Sequence, residues 1–183
     1  MSRDPIETKE RILRAAAAEF AERGIAGARV DRIVESAGTG KGLIYNYFGN
    51  KEKLFDAVFD ALTVETMEAV PFDAAQLGQY AGALYDYQQN NPTVARLTHW
   101  LSLERGDAQM PQLAVSSHAE KVGALKKAQA NGIVNADIPA DEILASVLAI
   151  SLGRIPESTP PTPAARKMRR QAIVQIVDRI AAP

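Results

Sequence analysis

Residues 4–24 read DPIETKERILRAAAAEFAERG, a stretch that carries its own helix start and stop. Asp4 can cap the first backbone amides, Pro5 fits the first helical position, where no amide donor is needed, and Glu7 completes a capping-box spacing. Leu13, Ala16, Ala17 and Phe20 then recur on one face, and Gly24 offers the left-handed residue that ends such helices. The same punctuation continues along the chain while strand signals are nearly absent. Short helices fit residues 31–37 and 41–47, and a longer one runs from an Asn50 cap through Met67 to a limit at Pro71. Further helices fit 73–91, a segment opened by Pro92, 112–130, 139–153 and 166–180, with a loop at 106–111 and the proline-rich connector PESTPPTPAA before the last. The spacing predicts an all-α fold of about nine helices.

A chain of 183 residues with 46% hydrophobic content can bury a core as one domain, or as a small module fused to a larger one. Lysine and arginine number 21 against 22 acidic residues, so a nucleic-acid partner has to be read from local placement and not from overall charge. The absence of cysteine excludes disulfides, zinc-thiolate sites and iron-sulfur clusters, and two isolated histidines give no metal spacing. No cofactor is implied. No apolar window is long enough to span a membrane, and the start, MSRDPIETKERIL, is charged where a signal peptide is apolar. The expectation is a soluble, cytoplasmic protein with no membrane partner.

The stretch AGTGKGLIYNYFGNKEKLF, residues 37–55, invites comparison with a phosphate loop. That loop needs G-x-x-x-x-G-K-[ST] after a buried strand, because backbone amides wrap the phosphates and the hydroxyl binds magnesium. Here Glu35 holds the first glycine position, Gly42 holds the hydroxyl position, and the preceding segment is an amphipathic helix. The alternative is a helix-turn-helix with Gly38 at the turn, Ile33, Val34, Ala37, Ile44 and Tyr47 inward, and Lys41, Gly42, Leu43, Tyr45 and Asn46 outward. Lys41 and Lys51 then suit phosphates, Tyr45 and Tyr47 can donate hydroxyls to them, and Asn46 suits a two-pronged contact with adenine. Exposed lysines and tyrosines on a short helix also describe an ordinary solvated face, so the spacing alone leaves both readings open.

TKERILRAAAAEFAERGIAGARVDRIVESAGTGKGLIYNYFGNKEKLFDAV, residues 8–58, resembles the DNA-binding module of the tetracycline-repressor (TetR) family. Phe20, Gly24, Ile33, Ala37-Gly38, Lys41-Gly42, Tyr45, Phe48 and Lys51-Glu52 with Leu54 carry the resemblance. It implies a transcriptional regulator, usually a repressor, with no enzymatic activity, whose DNA contacts fall on Thr39, Lys41, Gly42, Leu43, Tyr45, Asn46, Tyr47 and Lys51. Four positions depart from the family pattern, among them Asn46, which stands where an aromatic or histidine is common and is expected to alter base preference. Arg29 stands where a Ser or Thr often caps the second helix and offers a phosphate contact in exchange. Thr39 replaces an apolar turn residue and can cap the next helix in place of Gly40, which stands where a Ser is common.

The resemblance divides the chain into a DNA-binding domain at 1–49 and an effector-binding and dimerisation domain at 50–183. It implies a homodimer that binds double-stranded operator DNA and leaves it when a small-molecule effector enters the second domain. Aromatic and sulfur side chains there include Phe72 and Tyr87, and the pocket expectation rests on Met67, Tyr80, Tyr85, His99, Trp100, Leu103 and Met110. Trp100 is the first choice among them. The last two helices carry Leu144, Val147, Leu148, Ile173, Ile176, Val177 and Ile180, more apolar face than one helix pair needs, which predicts a four-helix dimer interface. A helical protein-interaction adaptor that has lost specific DNA binding is the competing class.

Overall fold

A computed structural model describes residues 5–106, 109–152 and 161–183. Among the described residues the fold is all-α, with nine α-helices and no strand. They are α1 (Pro5–Gly27), α2 (Val30–Ala37), α3 (Lys41–Phe48), α4 (Lys51–Ala69), α5 (Leu77–Asn90), α6 (Pro92–Glu104), α7 (Gln112–Ala130), α8 (Ala140–Leu152) and α9 (Pro163–Ala181). The Asp4 cap expected for α1 lies outside the described residues, as do Gly153 and the first half of the proline-rich connector.

The chain forms two compact units, cut differently from the expected 1–49 and 50–183 division. One contains 1–64 and 92–112, the other 65–91 and 113–183. The reason is burial. Leu54, Phe55 and Val58 of α4 and Leu97 and Leu101 of α6 lie in the same core as Ile12, Phe20, Ile33 and Ile44, so neither helix segment separates from the helices before residue 49.

Three helix ends differ from expectation. At Gly24 the backbone does leave the helix, at φ 73° and ψ 179°, but helical turns resume and α1 closes only at Gly27. The segment 73–91 is split: Asp73 accepts from the Ala75 amide at 2.8 Å to cap a single 3-10 turn, Ala74–Gln76, and α5 begins afterwards. The last helix starts at Pro163, inside the expected connector, because Thr162 Oγ1 accepts from the Ala165 amide at 3.2 Å and proline fits the first helical position. The Asn50 cap is present, with Lys53 N donating to Asn50 Oδ1 at 2.8 Å.

In the second unit α5 packs on both α8 and α9. Its Leu77, Tyr80, Ala81, Leu84 and Tyr85 cover Leu144, Val147, Ile173 and Val177, which are at most 1% exposed. Those four side chains therefore fill their own unit's core and are not free for a partner, a correction to the expected interface. Of that set Ile176 remains 42% exposed, with Leu148 and Ile180 half-buried.

Close approach of α5 to α9 depends on Gly78. A β-carbon there would stand 2.9 Å from the Val174 carbonyl oxygen and would run into the Asp178 carboxylate. Gly123 in α7 has open space where its β-carbon would be. Helix propensity alone favours alanine over glycine by about 1 kcal/mol at both sites. Gly123→Ala is therefore expected to raise stability by up to about 1 kcal/mol, and Gly78→Ala to lower it by about 1–3 kcal/mol through overpacking against backbone. Urea unfolding of the two variants checks the contrast.

Candidate nucleic-acid interface

The helix-turn-helix is built from the core outward. Ile33 and Ala37 of α2 and Ile44 and Phe48 of α3 are buried together, and Tyr47 packs half-buried against them. Between the helices Gly38 adopts φ 57° and ψ 45°, where a β-carbon is penalised, and the Thr39 amide donates to the Val34 carbonyl at 3.2 Å. Gly40 is extended and precedes α3 without a side-chain cap. Thr39 thus does not cap α3, because the residue at the capping position is Gly40.

With one face of α3 buried, the other is fixed by elimination. Lys41, Gly42, Tyr45 and Asn46 are exposed, Leu43 and Thr39 half-buried. A β-carbon at Gly42 would meet nothing within 4 Å, so this part of the helix presents bare backbone. Lys41 Nζ lies 2.8 Å from Asp31 Oδ1. That contact, chiefly its hydrogen bond, holds the Asp31 carboxyl below the usual carboxylate range and raises the Lys41 ammonium. A phosphate approaching Lys41 would share the ammonium with Asp31.

Several side chains that position this face are separated from it in sequence. Glu19 Oε1 accepts from the Arg29 amide at 2.9 Å and from Arg32 Nε at 2.7 Å, so it holds the residue that opens α2, while the first amides of α2 have no side-chain cap. Arg11 Nε donates to the Ala37 carbonyl at 2.7 Å, closing the other end of α2. Lys51, expected on phosphate, donates to the carbonyls of Ala26 and Ala28 at 3.1 and 3.2 Å and so ties the end of α1 to the start of α4. Arg29 keeps its exposed guanidinium beside α2.

The expected effector residues do not come together in one unit. Trp100 Nε1 donates to the Ala21 carbonyl at 3.2 Å, and its ring lies against Gly24, so Trp100 packs on α1. Met110 packs on the same core and Leu103 is 73% exposed. His99, Trp100, Leu103 and Met110 belong to the first unit; Met67, Tyr80 and Tyr85 belong to the second. Tyr80 and Tyr85 are buried in its core, where Phe72 meets Tyr80 edge-on at 5.0 Å and burial pushes the Tyr80 hydroxyl up to about 12. The second unit does hold a cavity of about 260 Å³, lined by Met67, Val70, Phe72, Ser117, Glu120, Lys121 and Ala124. Only Met67 among its lining belonged to the expected set.

Residues 12–58 match the family model for bacterial regulatory proteins of the tetR family, and 76–179 match that for the tetracyclin repressor-like C-terminal domain. The chain belongs to the TetR family. It is 40% identical over 152 residues to the HTH-type transcriptional repressor SCO4008 of Streptomyces coelicolor, covering 82% of this chain and 79% of that protein. It is 29% identical over 143 residues to the HTH-type transcriptional repressor NicS of Pseudomonas putida, covering 72% and 68%. Among solved structures, SCO4942 from Streptomyces coelicolor superposes with a TM-score of 0.78 at 33% identity, covering 95% of this chain and 98% of that one. FadR from Bacillus subtilis, solved in complex with stearoyl-CoA, shares the fold with a TM-score of 0.73 at 16% identity, over 92% and 96% of the chains. This TetR-family chain is a helix-turn-helix transcriptional regulator. No helix among its described residues is long and apolar enough to cross a membrane.

The Glu19 contact has a pH signature. Its carboxyl is held below the ordinary 4.5, first by the hydrogen bond from Arg32. A depressed carboxylate contributes stability that is present above about pH 4.5 and lost as pH falls through the lowered value. Glu19→Gln should therefore lower stability by about 1–2 kcal/mol near neutrality. The difference in melting temperature from the parent should shrink as the buffer is taken well below pH 4.5.

Proposed function

We propose that this regulator represses transcription as a cytoplasmic, non-enzymatic homodimer, with α3 of each protomer in successive major grooves of an operator and a small molecule in the second unit releasing it. The exposed face of Lys41, Gly42, Tyr45 and Asn46, set on a buried turn, carries the reading. Lys41, Arg29 and the remaining ammonium N–H of Lys51 meet phosphates, and Tyr45 and Tyr47 donate hydroxyls to them. Asn46 reads an adenine edge, Leu43 meets a thymine methyl, and Thr39 sits at the groove margin. Gly42 lets the backbone approach closely. In functional terms residues 1–49 read DNA, and the remainder receives the effector and pairs the protomers.

Dimerisation falls to the apolar surface left on α8 and α9, Ile176 with Leu148 and Ile180. Two-fold pairing there matches a palindromic site. That the Bacillus subtilis neighbour holds stearoyl-CoA supports a ligand-binding role for the shared fold. Release requires coupling of only a few kcal/mol, about 1–3, between effector and DNA.

Fluorescence anisotropy with duplexes tiling the DNA beside the gene, at several salt concentrations, tests this. One fragment should bind about a thousandfold or more above random duplex. Lys41→Ala should weaken binding and reduce the salt slope by about one. Gly42→Ala should raise stability by up to about 1 kcal/mol yet weaken DNA binding, because the new methyl fits the free protein and obstructs the groove. Equal, weak binding to every duplex points instead to a protein-interaction adaptor. Ile176→Asp should convert the dimer to a monomer in size-exclusion chromatography with light scattering.

A further inference from the structure

The cavity of the second unit differs from the aromatic pocket expected from sequence, and its chemistry is asymmetric. Met67, Val70, Phe72 and Ala124 make its apolar wall. Ser117, Glu120, Lys121 and Ala124 fall at i, i+3, i+4 and i+7, so one stripe of α7 faces it. On that stripe Lys121 is half-buried and its ammonium donates to the hydroxyl of the buried Ser117. Burial lowers the Lys121 ammonium from its ordinary value, with Glu120 pulling weakly the other way. Glu120 itself is exposed to solvent.

A cation that has lost part of its hydration and gained a neutral hydroxyl in return is under-compensated. Lysine in such a place favours an incoming anion, since a charge-assisted hydrogen bond is about twice as strong as a neutral one. The apolar wall opposite requires that the rest of the ligand be apolar. The volume, about 260 Å³, lies just under the range of drug-sized pockets and suits a compact ligand.

We infer that this cavity binds a small amphiphilic monoanion, a carboxylate on a compact aromatic or short aliphatic body, with Lys121 receiving the carboxylate and Ser117 fixing the ammonium. The inference rests on the proposed reading of the second unit as the effector-binding part, and it names the ligand class that reading leaves open. Met67, Val70 and Phe72 hold the ligand body, and the exposed Glu120 disfavours dianions at the same rim.

Calorimetric titration of the full-length protein with benzoate and hexanoate, set against benzamide, hexanamide and benzylamine, provides the test. Both carboxylates should bind saturably and more tightly than their amides. Lys121→Met should weaken the carboxylates about tenfold or more, leave the amides within about twofold, and melt no lower than the parent because it removes a desolvated charge. Lys121→Arg should retain the preference for carboxylate. Equal binding of carboxylate and amide, a preference for benzylamine abolished by Glu120→Gln, or no saturable binding of any carboxylate overturns the inference. Operator release is measured separately by anisotropy. Lys121-dependent binding without release upholds the ligand class and removes the effector reading; release by a compound whose affinity Lys121→Met does not change removes the ligand class and keeps that reading.

Discussion

Phe55 is the side chain around which the helix-turn-helix packs. It is fully buried, meets Phe20 edge-on at 5.2 Å, stacks near Phe59 at 6.0 Å, and carries the Arg105 guanidinium 4.8 Å from its ring centre. Arg105 is held in turn by Asp56 and by the Glu52 carbonyl. This one cluster joins α1, α4 and the segment after α6. Helices α2 and α3 have eight residues each, too short to persist alone in water. They exist because Ile33, Ala37, Ile44 and Phe48 complete the core around Phe20 and Phe55. The outward face of α3 is the remainder of that packing, so the surface proposed to read DNA is set by which residues the core has already taken.

Much of this was legible because its chemistry is local. The Gly38 turn, the Asn50 cap, Pro92 at a helix start and the alternation of buried and exposed residues in α3 are all decided within about four residues. What was missed depends on partners far apart in the chain. Glu19 looks like any exposed helical glutamate until Arg29 and Arg32 meet it. Trp100 looks like a pocket residue in sequence, but its indole N–H finds the Ala21 carbonyl, 79 positions away. Leu144, Val147, Ile173 and Val177 looked surplus because the covering face, on α5, is dispersed among polar residues and glycines. Lys121 carried a weak signal, the Ser117, Glu120, Lys121, Ala124 stripe, which periodicity in hydrophobic residues does not detect.

The two halves of the molecule place charge on opposite terms. In the helix-turn-helix unit cations are exposed or engaged with carbonyls and carboxylates, so a phosphate would compete with existing partners such as Asp31 at Lys41. The cost is small at such a surface, because exposed ion pairs contribute little. In the second unit Lys121 is partly withdrawn from water, with the Ser117 hydroxyl accepting its hydrogen bond and Glu120 acting on it more weakly than burial does, so the proposed anion would meet a cation already short of solvation. Helix α4 contributes to each setting: Leu54, Phe55 and Val58 to the first core, Met67 to the cavity wall.

Hydroxyl-radical footprinting of the regulator on the DNA beside its gene most directly tests the claim that a symmetric pair of α3 faces reads the operator. A homodimer in successive major grooves protects symmetric backbone patches centred about 10 base pairs or a multiple of that apart, on one face of the duplex. A single unpaired patch, or uniform protection without symmetry, contradicts that claim.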